Sequence, residues 1–502
     1  MTRMRTQNGF ARMLTAIGGA ILSLLVTATP ARAQDLPLAQ VLPDLILREI
    51  VLLPGPPPAH VAHFSPLSND VNNPVVGIVQ GFNTQMATQF STFPLGSSSG
   101  GMTYVFDESV GTLRRGSASF GPSFSERALT IGRRKLSAGV NYQRTSYSTF
   151  EGQNLDDGSI KFYLRHQDCC HIENPGPNFQ FFVRPDGTRL SPPFEGDIIE
   201  AALSLKAVTH TTAVFANYGV TDRWDVGIAV PVISVNLDAS VKARIIRLVT
   251  APPANANLTA EQRRAALNTH TFEVDNPDAT QTVQHAGHAS GLGDIVVRSK
   301  YHFLRAAGGG LAAAVDFRLP TGDENQLLGA GGVQAKLLLV ASAERGRLGQ
   351  HVNLGYTAAR GHVAGTVANL GAAPLPDELN YTGGVEFVAS PRVTVIGDVV
   401  GRTLRGAGRL DLVSKPFSHA AFNENGLILS TPGCENSGVA CTNDFFDEFA
   451  PRSGNLTLLL GTGGVKFNLA GNLLISGSVL FPLTKAGLRS RVTTVIGLDY
   501  AF

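Results

Sequence analysis

The sequence predicts an all-β protein, specifically a transmembrane antiparallel β-barrel of about 14 strands. Hydrophobic and polar residues alternate over most of the chain, and this is the main observation. Only 16% of residues are charged and mean hydropathy is +0.07, whereas a soluble domain carries about 25% charged residues. Beyond residue 30 no stretch is apolar for long enough to form a spanning helix of about 20 residues. The 54 glycines have no period of three, which excludes collagen, and 43% hydrophobic residues disfavour disorder.

Residues 1–33 have the pattern of a secretory signal peptide that is removed from the mature protein. Three arginines precede an uncharged apolar core at 13–28, and Ala31-Arg32-Ala33 then fits a cleavage site. An uncleaved anchor is the alternative, but a core of about 16 residues is short for a span. Cleavage removes four arginines and no acidic residue, so the formal net charge changes from +2 to −2. Nucleic-acid binding therefore has no electrostatic support.

Alternation of period two is clearest at 295–303 and 311–319, where the odd positions are mostly apolar. Charged and polar residues occupy the even positions of these segments and of the one that follows. A charge facing lipid at mid-membrane costs about 2–4 kcal/mol, so we expect these side chains to line the lumen. The predicted lumen-facing residues are Asp294, Arg298, Lys300, His302, Asp316, Arg318, Gln334 and Lys336.

A soluble β-sandwich also alternates, but segment length and connections favour a barrel. The segments run about 10 to 14 residues, longer than the usual 5 or 6 and near the 9 to 11 that cross a bilayer. Short turns at 221–223, 390–392 and 470–472 alternate with long loops at 251–290 and 415–450, the pattern of outer-membrane barrels. The clearest strands are predicted near 135–150, 197–221, 223–249, 293–304, 309–320, 331–343, 348–361, 378–389, 392–414, 452–469, 472–483 and 489–502.

The last strand resembles the assembly signal of bacterial outer-membrane barrels. Leu498, Tyr500 and Phe502 lie on one face and are expected to meet lipid near the periplasmic interface, where aromatic residues are favoured. Asp499 and Arg491 are expected to face the lumen. We therefore expect the barrel-assembly machinery and outer-membrane lipid as partners.

The chain divides into the signal peptide, an N-terminal segment at 34–115 and a barrel at 116–502. The N-terminal segment does not alternate cleanly. It is expected either to plug the barrel or to form a periplasmic tail. A short helix is expected near 42–53, with Pro43 in its first turn, and another near 259–267 in a long loop.

Four cysteines follow the signal peptide, and export makes disulfides possible. Cys434 and Cys441 share a polar loop expected on the extracellular side, and we predict that they are bridged. The pairing of Cys169 and Cys170 stays open. They lack a second pair at zinc spacing, so no metal is expected.

Several stretches are similar to a known family. They are SASFGPSFSERALTIGRRKLSAGVNYQ at 117–143, NYGVTDRWDVGIAVP at 217–231, GLGDIVVRSKYHFL at 291–304 and FRLPTGDENQLLGAGG at 317–332. They resemble the bacterial outer-membrane transporter family named for the meta-pathway of phenol degradation, which is related to the fatty-acid and toluene transporters. The resemblance covers roughly 75–502. It implies a channel for hydrophobic or aromatic compounds, and it transfers no catalytic or binding residue.

An enzyme is disfavoured because the sequence pairs no Ser with a His as nucleophilic catalysis requires, and the histidine pairs His60/His63 and His285/His288 have no glutamate or cysteine companion. We expect no cofactor. The predicted function is passive uptake of small hydrophobic or aromatic solutes across the bacterial outer membrane. The alternative is a non-selective or structural barrel. Oligomeric state stays open.

Overall fold

The computed structural model describes residues 36–52, 74–92, 96–97, 101–107, 112–164, 182–183, 189–190, 197–248, 270–273, 276, 278–306, 308–364, 372–420 and 441–502. None of the helices in these ranges combines the length and the apolar character needed to cross a membrane. The predicted signal peptide, the helix expected near 259–267 and the pair Cys169/Cys170 lie outside these residues.

Strands dominate the chain, and two helices precede them. A 3-10 turn at Leu38–Gln40 leads into α1 (Val41–Leu47), which has Pro43 in its first turn as expected, and α2 spans Pro74–Ser91. The strands are β1 (Tyr104–Asp107), β2 (Thr112–Arg115), β3 (Leu136–Phe150), β4 (Gln153–Asn154), β5 (Ile160–Leu164), β6 (Phe182–Val183), β7 (Arg189–Leu190), β8 (Ile198–Gly219), β9 (Trp224–Ile246), β10 (Gln281–Leu292), β11 (Val296–Ala306), β12 (Gly309–Arg318), β13 (Gly332–Arg345), β14 (Leu348–Gly361), β15 (Glu378–Ser390), β16 (Val393–Leu404), β17 (Arg409–Ala420), β18 (Cys441–Arg452), β19 (Leu456–Ala470), β20 (Leu473–Pro482) and β21 (Leu488–Ala501).

Twelve antiparallel strands close into a barrel: β3, β8, β9, β11 to β16 and β19 to β21. The ring closes because β21 pairs with β3, which pairs with β8, which pairs with β9. The expected number of about 14 strands is thus corrected to 12. The segment predicted at 392–414 divides near Gly406, and its second half leaves the barrel to pair with β18. Strands β4, β5 and β10 pair with barrel strands but lie outside the closed ring.

The two ends of the barrel differ in their connections. Five short turns join strands at one end, those that follow β8, β11, β13, β15 and β19. We call it the short-turn end, and the barrel also begins and ends there, at β3 and β21. The opposite long-loop end carries β4 to β7, β10 and the β17–β18 hairpin. In outer-membrane barrels the short turns face the periplasm.

The barrel wall has an apolar outer face and a polar inner face. On β12 the outward side chains Leu311 and Phe317 are 38% and 49% exposed, whereas the alternate residues Ala312, Ala314 and Asp316 are buried. Similar exposed apolar side chains occur on every barrel strand except β3 and β8, whose exposed aromatics are Tyr142 and Tyr218. Such a surface requires an apolar medium, and a closed barrel leaves no unpaired strand edge in it.

The main hydrophobic core lies at the long-loop end. Strands β8 and β9 pair over 22 residues, about twice what crosses a bilayer, and so project beyond it. Toward the long-loop end, the inward-facing side chains of β8 and β9 are apolar and form one core with α1 and α2. Helix α2 begins with Pro74, contains no charged residue and is buried on nearly all sides. The sequence pattern does not predict this helix, because a helix buried all round shows no amphipathic periodicity.

Candidate functional site

A non-regular segment, Ser117 to Ile131, runs through the barrel interior in its short-turn half. We call it the luminal segment. Its backbone amides donate hydrogen bonds to side chains on strands that lie on different sides of the barrel, which is possible only from inside. These bonds join Phe120 to Thr394 (3.1 Å), Phe124 to Asp398 (3.1 Å), Glu126 to Asn353 (2.7 Å), Ala128 to Ser342 (3.0 Å) and Ile131 to Asp225 (2.9 Å).

Arg298 is the centre of a charged network between the luminal segment and the wall. Its Nε and Nη2 atoms lie 2.5 and 2.6 Å from the two carboxylate oxygens of Asp316, and its Nη1 contacts the Glu126 carboxylate. Lys336 Nζ lies 3.2 Å from Asp316. Lys300 is 1% exposed, with its Nζ 3.8 Å from Glu126. The network thus joins Arg298, Lys300, Asp316 and Lys336 on three adjacent strands.

Two wall arginines hold the end of α2. Arg318 Nη1 donates to the carbonyl oxygen of Ser91 at 2.8 Å, and Arg402 Nη1 donates to that of Thr92 at 2.6 Å. Arg402 also pairs with Glu378. Cations are favoured at a helix C-terminus, where carbonyl groups lack partners within the helix. Arg318 was expected in the lumen, but its contact with a helix was not expected.

The remaining predicted residues have different surroundings. Gln334 is 6% exposed on the inner face of β13. Asp294 precedes β11 instead of lying on a strand, and its carboxylate accepts hydrogen bonds from the amides of Gly322 (3.1 Å) and Ala330 (2.8 Å). It braces the loop between β12 and β13. His302 is buried near the short-turn end, next to a bulge in the β11–β12 pairing.

Two cavities open to solvent flank the luminal segment, with about 970 Å³ and 960 Å³ of empty space. Phe124, Val296 and Arg298 line both. The first cavity has a mixed wall, formed further by Ser123, Asn141, Gln143, Ala213, Phe215, Lys466, Val495 and Asp499. The second is more strongly charged and is lined also by Thr92, Glu126, Asp316, Arg318, Gln334, Lys336, Glu378 and Arg402.

The last strand has an exposed apolar face and a buried polar face. Leu498 and Tyr500 are 42% and 38% exposed on the outside, whereas Asp499 is buried. The rings of Tyr500 and Phe502 are 4.6 Å apart. Arg491 is exposed and does not face the interior, because the pairing with β3 shifts between Ser490 and Thr493.

The cysteine and histidine candidates do not form a catalytic or metal site among the described residues. Cys441 begins β18, opposite Ala420, and Cys434 lies outside the described part, so their disulfide stays a prediction. His285 contacts Glu49, and His288 Nδ1 lies 2.9 Å from Asn236. In the ranges that the structure describes, no three metal-ligating side chains cluster.

Comparison with family models and with curated proteins finds no match. Many solved structures show likeness, and three of them illustrate its kind. An outer-membrane channel from Pseudomonas putida F1 is 9% identical over 75% of this chain and 98% of its own, with a TM-score of 0.38. A Pseudomonas aeruginosa FadL homologue is 11% identical over 77% and 93%, at 0.29. The Ralstonia pickettii toluene transporter TbuX is 12% identical over 75% and 91%, at 0.28.

All three TM-scores are below 0.5, so conclusions about this chain depend on its own geometry. A closed antiparallel barrel with an apolar outer face, short turns at one end and long loops at the other is a bacterial outer-membrane barrel.

The alternation of the strands does not identify the residues of the luminal segment that pair with the wall charges. Glu126 and Asp398 are central to its attachment. The available signal was a stretch rich in Ser, Gly and Pro without alternation, directly before the first barrel strand.

Proposed function

We propose that the protein admits small hydrophobic or aromatic compounds passively through the outer membrane. The observation that carries this proposal is the pair of cavities beside the luminal segment. Each is a concave space between the luminal segment and the wall, lined by apolar side chains together with a few polar groups, as small-molecule sites are. No ATP exists at that membrane, so transport follows a gradient.

The first cavity suits such a solute best. Phe124, Phe215 and Val296 offer apolar contacts, and Asn141 and Gln143 offer hydrogen bonds. Apolar contacts draw a solute from water, and a solvent-open site lets it leave. The charged second cavity fits an apolar solute less well, so we assign entry and transient binding to the first.

We also propose that residues 34–115 act as a plug, with the two helices at the long-loop end and β1 at the short-turn end, where Tyr104 contacts Asn472. Both helices belong to the hydrophobic core at the long-loop end, and the end of α2 is held by two arginines of the wall. In the described residues the luminal segment lies below the helices, and this arrangement favours passage around the enclosed chain over a wide aqueous path of the porin type. Small solutes therefore pass around the enclosed chain.

The test is uptake by outer-membrane vesicles that carry lipopolysaccharide, because an apolar solute crosses plain phospholipid unaided. A labelled monocyclic aromatic compound is compared with a sugar of similar size. Ala213→Trp fills the first cavity, and Ile496→Trp is the matched control, because Ile496 is 60% exposed on the outer face. We expect Ala213→Trp to lower aromatic uptake several-fold and the control to leave it unchanged.

Two outcomes favour the alternative of a non-selective or structural barrel. Equal uptake of sugar and aromatic compound indicates a non-selective channel. If neither compound enters faster than it enters vesicles without the protein, the result indicates a closed structural barrel. The many hydrogen bonds of the luminal segment are the observation that supports a closed lumen.

A further inference from the structure

Basic side chains collect at the short-turn end of the barrel. Four of the five short turns have at least one arginine in the turn or within two residues of it, and a basic run precedes β3. Asp222 and Glu344 are acidic side chains at the same turns. We call the eight basic residues the basic rim: Arg133, Arg134, Lys135, Arg223, Arg305, Arg345, Arg347 and Arg392.

The charge of the rim is not neutralised by the protein. Its seven arginines are exposed, and none forms an ion pair within the described residues. Lys135 lies 4.7 Å from the centre of the Tyr104 ring. Of the two carboxylates, Glu344 accepts a hydrogen bond from the amide of Ala118, at the start of the luminal segment. Several wall charges of the interior, in contrast, are paired, as Arg298 is with Asp316 and Arg402 is with Glu378.

A girdle of outward aromatic side chains lies directly above the rim. Trp224 follows Arg223, and Phe303 precedes Arg305 by two residues. Aromatic girdles mark the level at which hydrocarbon meets headgroups, so the rim lies at the headgroups of the leaflet on that side. The girdle consists of Tyr218, Trp224, Tyr301, Phe303, Phe387, Phe467 and Tyr500, each between 38% and 49% exposed.

We propose that the basic rim binds the phosphate groups of anionic phospholipids in the periplasmic leaflet. A guanidinium binds phosphate through two parallel hydrogen bonds, and exposed arginines at headgroup depth meet phosphate directly. The rim is spread around most of the circumference instead of forming one patch. That distribution fits lipid on all sides better than a protein partner that docks on one face. The proposal does not depend on transport.

The test uses the full chain refolded into phosphatidylcholine vesicles with and without phosphatidylglycerol, and measures the urea midpoint of unfolding. We expect phosphatidylglycerol to raise the midpoint of the wild type. The variant Arg345→Glu/Arg347→Glu/Arg392→Glu should lose at least half of that increase. The matched control Arg360→Glu/Arg405→Glu/Lys485→Glu makes the same charge change in exposed residues at the long-loop end and should keep it.

The increase should also shrink at high salt, since screening weakens exposed charge interactions. Equal increases in wild type and rim variant, or no increase in either, would overturn the proposal. So would an equal increase on adding inorganic phosphate to neutral vesicles at constant ionic strength, because the rim would then bind free phosphate. If the glutamate variant does not insert into vesicles, the urea midpoint of Arg345→Gln/Arg347→Gln/Arg392→Gln is measured in its place.

Discussion

At the scale of single residues, Arg298 is where the interior charges converge. Its guanidinium joins Asp316 on the neighbouring strand to Glu126 on the luminal segment. Both carboxylates are buried. Removing one partner of such a group leaves the others desolvated without compensation. The side chain therefore stabilises the wall and the enclosed segment together.

We expect Arg298→Met to lower the free energy of unfolding by about 3–5 kcal/mol, the usual loss when one partner of a buried ion pair is removed. Lys336→Met is the matched comparison in the same network. It should cost much less, because the Lys336 side chain is 28% exposed and Asp316 keeps Arg298. Urea unfolding in neutral vesicles measures both, and equal losses would contradict the role given to Arg298.

Sequence alone identifies one side of this network. The period of two on β11 and β12 puts Arg298 and Asp316 on the polar face, and the structure has them there in contact. Glu126 lies 172 positions from Arg298 in the chain. It belongs to a segment without periodicity, so nothing in the pattern indicates the contact. The alternation predicts Asp294 on the same strand face, but β11 begins only at Val296, so Asp294 lies two residues before the strand.

At the scale of elements, Glu200 on β8 holds β5 beside the part of β8 that projects beyond the membrane. It accepts hydrogen bonds from Lys161 (3.0 Å) and Arg244 (3.0 Å). It lies 19 residues before the end of β8 at Gly219, beyond the 9 to 11 that cross the bilayer. Burial alone would raise the pKa of Glu200, but the bonds from Arg244 and Lys161 lower it below its usual value.

We therefore expect Glu200→Gln to speed amide hydrogen exchange in Ile160–Leu164. Since the carboxyl is more acidic in the folded protein, its contribution is complete above the usual pKa and is lost as pH falls through the lowered value. The wild type should accordingly lose protection of β5 on acidification, after correction for intrinsic exchange rates. Asp238→Asn, an exposed control on β9, should change neither. Unchanged exchange in Glu200→Gln would exclude this fastening.

The last strand gives a second element-scale prediction. Closure needs β21 to pair with β3, so a charge at its aromatic end should disturb insertion more than any property of the pore. We expect Phe502→Asp to reduce the heat-modifiable protein in outer-membrane fractions several-fold. Phe445→Asp makes the same change in a 65% exposed side chain of β18 and should have no effect. Normal amounts of Phe502→Asp protein would contradict the assembly role.

Strands were the most predictable elements, and their membership in the barrel was less so. Each of the twelve clearest segments overlaps a barrel strand. However, β10 and β17 also have strand-like patterns and lie outside the ring. Alternation indicates that the two faces of a strand meet different surroundings. The strands outside the ring also alternate, because one of their faces packs against the protein. Closure depends on pairing between distant strands, which local periodicity does not contain.

At the scale of the whole molecule, the barrel wall and the enclosed chain are joined at few points near the end of α2. We expect Arg318→Ala/Arg402→Ala to raise single-channel conductance in planar bilayers, because the end of α2 loses its hydrogen bonds to both wall arginines. Arg489→Ala, which removes another buried inner arginine, is the control and should not. Equal conductance in wild type and double variant would show that α2 does not limit the path.

Closure of the ring also fixes an order of events. The luminal segment precedes β3 in the chain, and its bonds reach strands from β9 to β20. The seam between β21 and β3 can form only when the last strand is available. The segment must therefore be enclosed before or while the seam closes, since entering later would require threading through a finished ring. Once closed, the barrel retains it mechanically, and the segment leaves only when the wall itself opens.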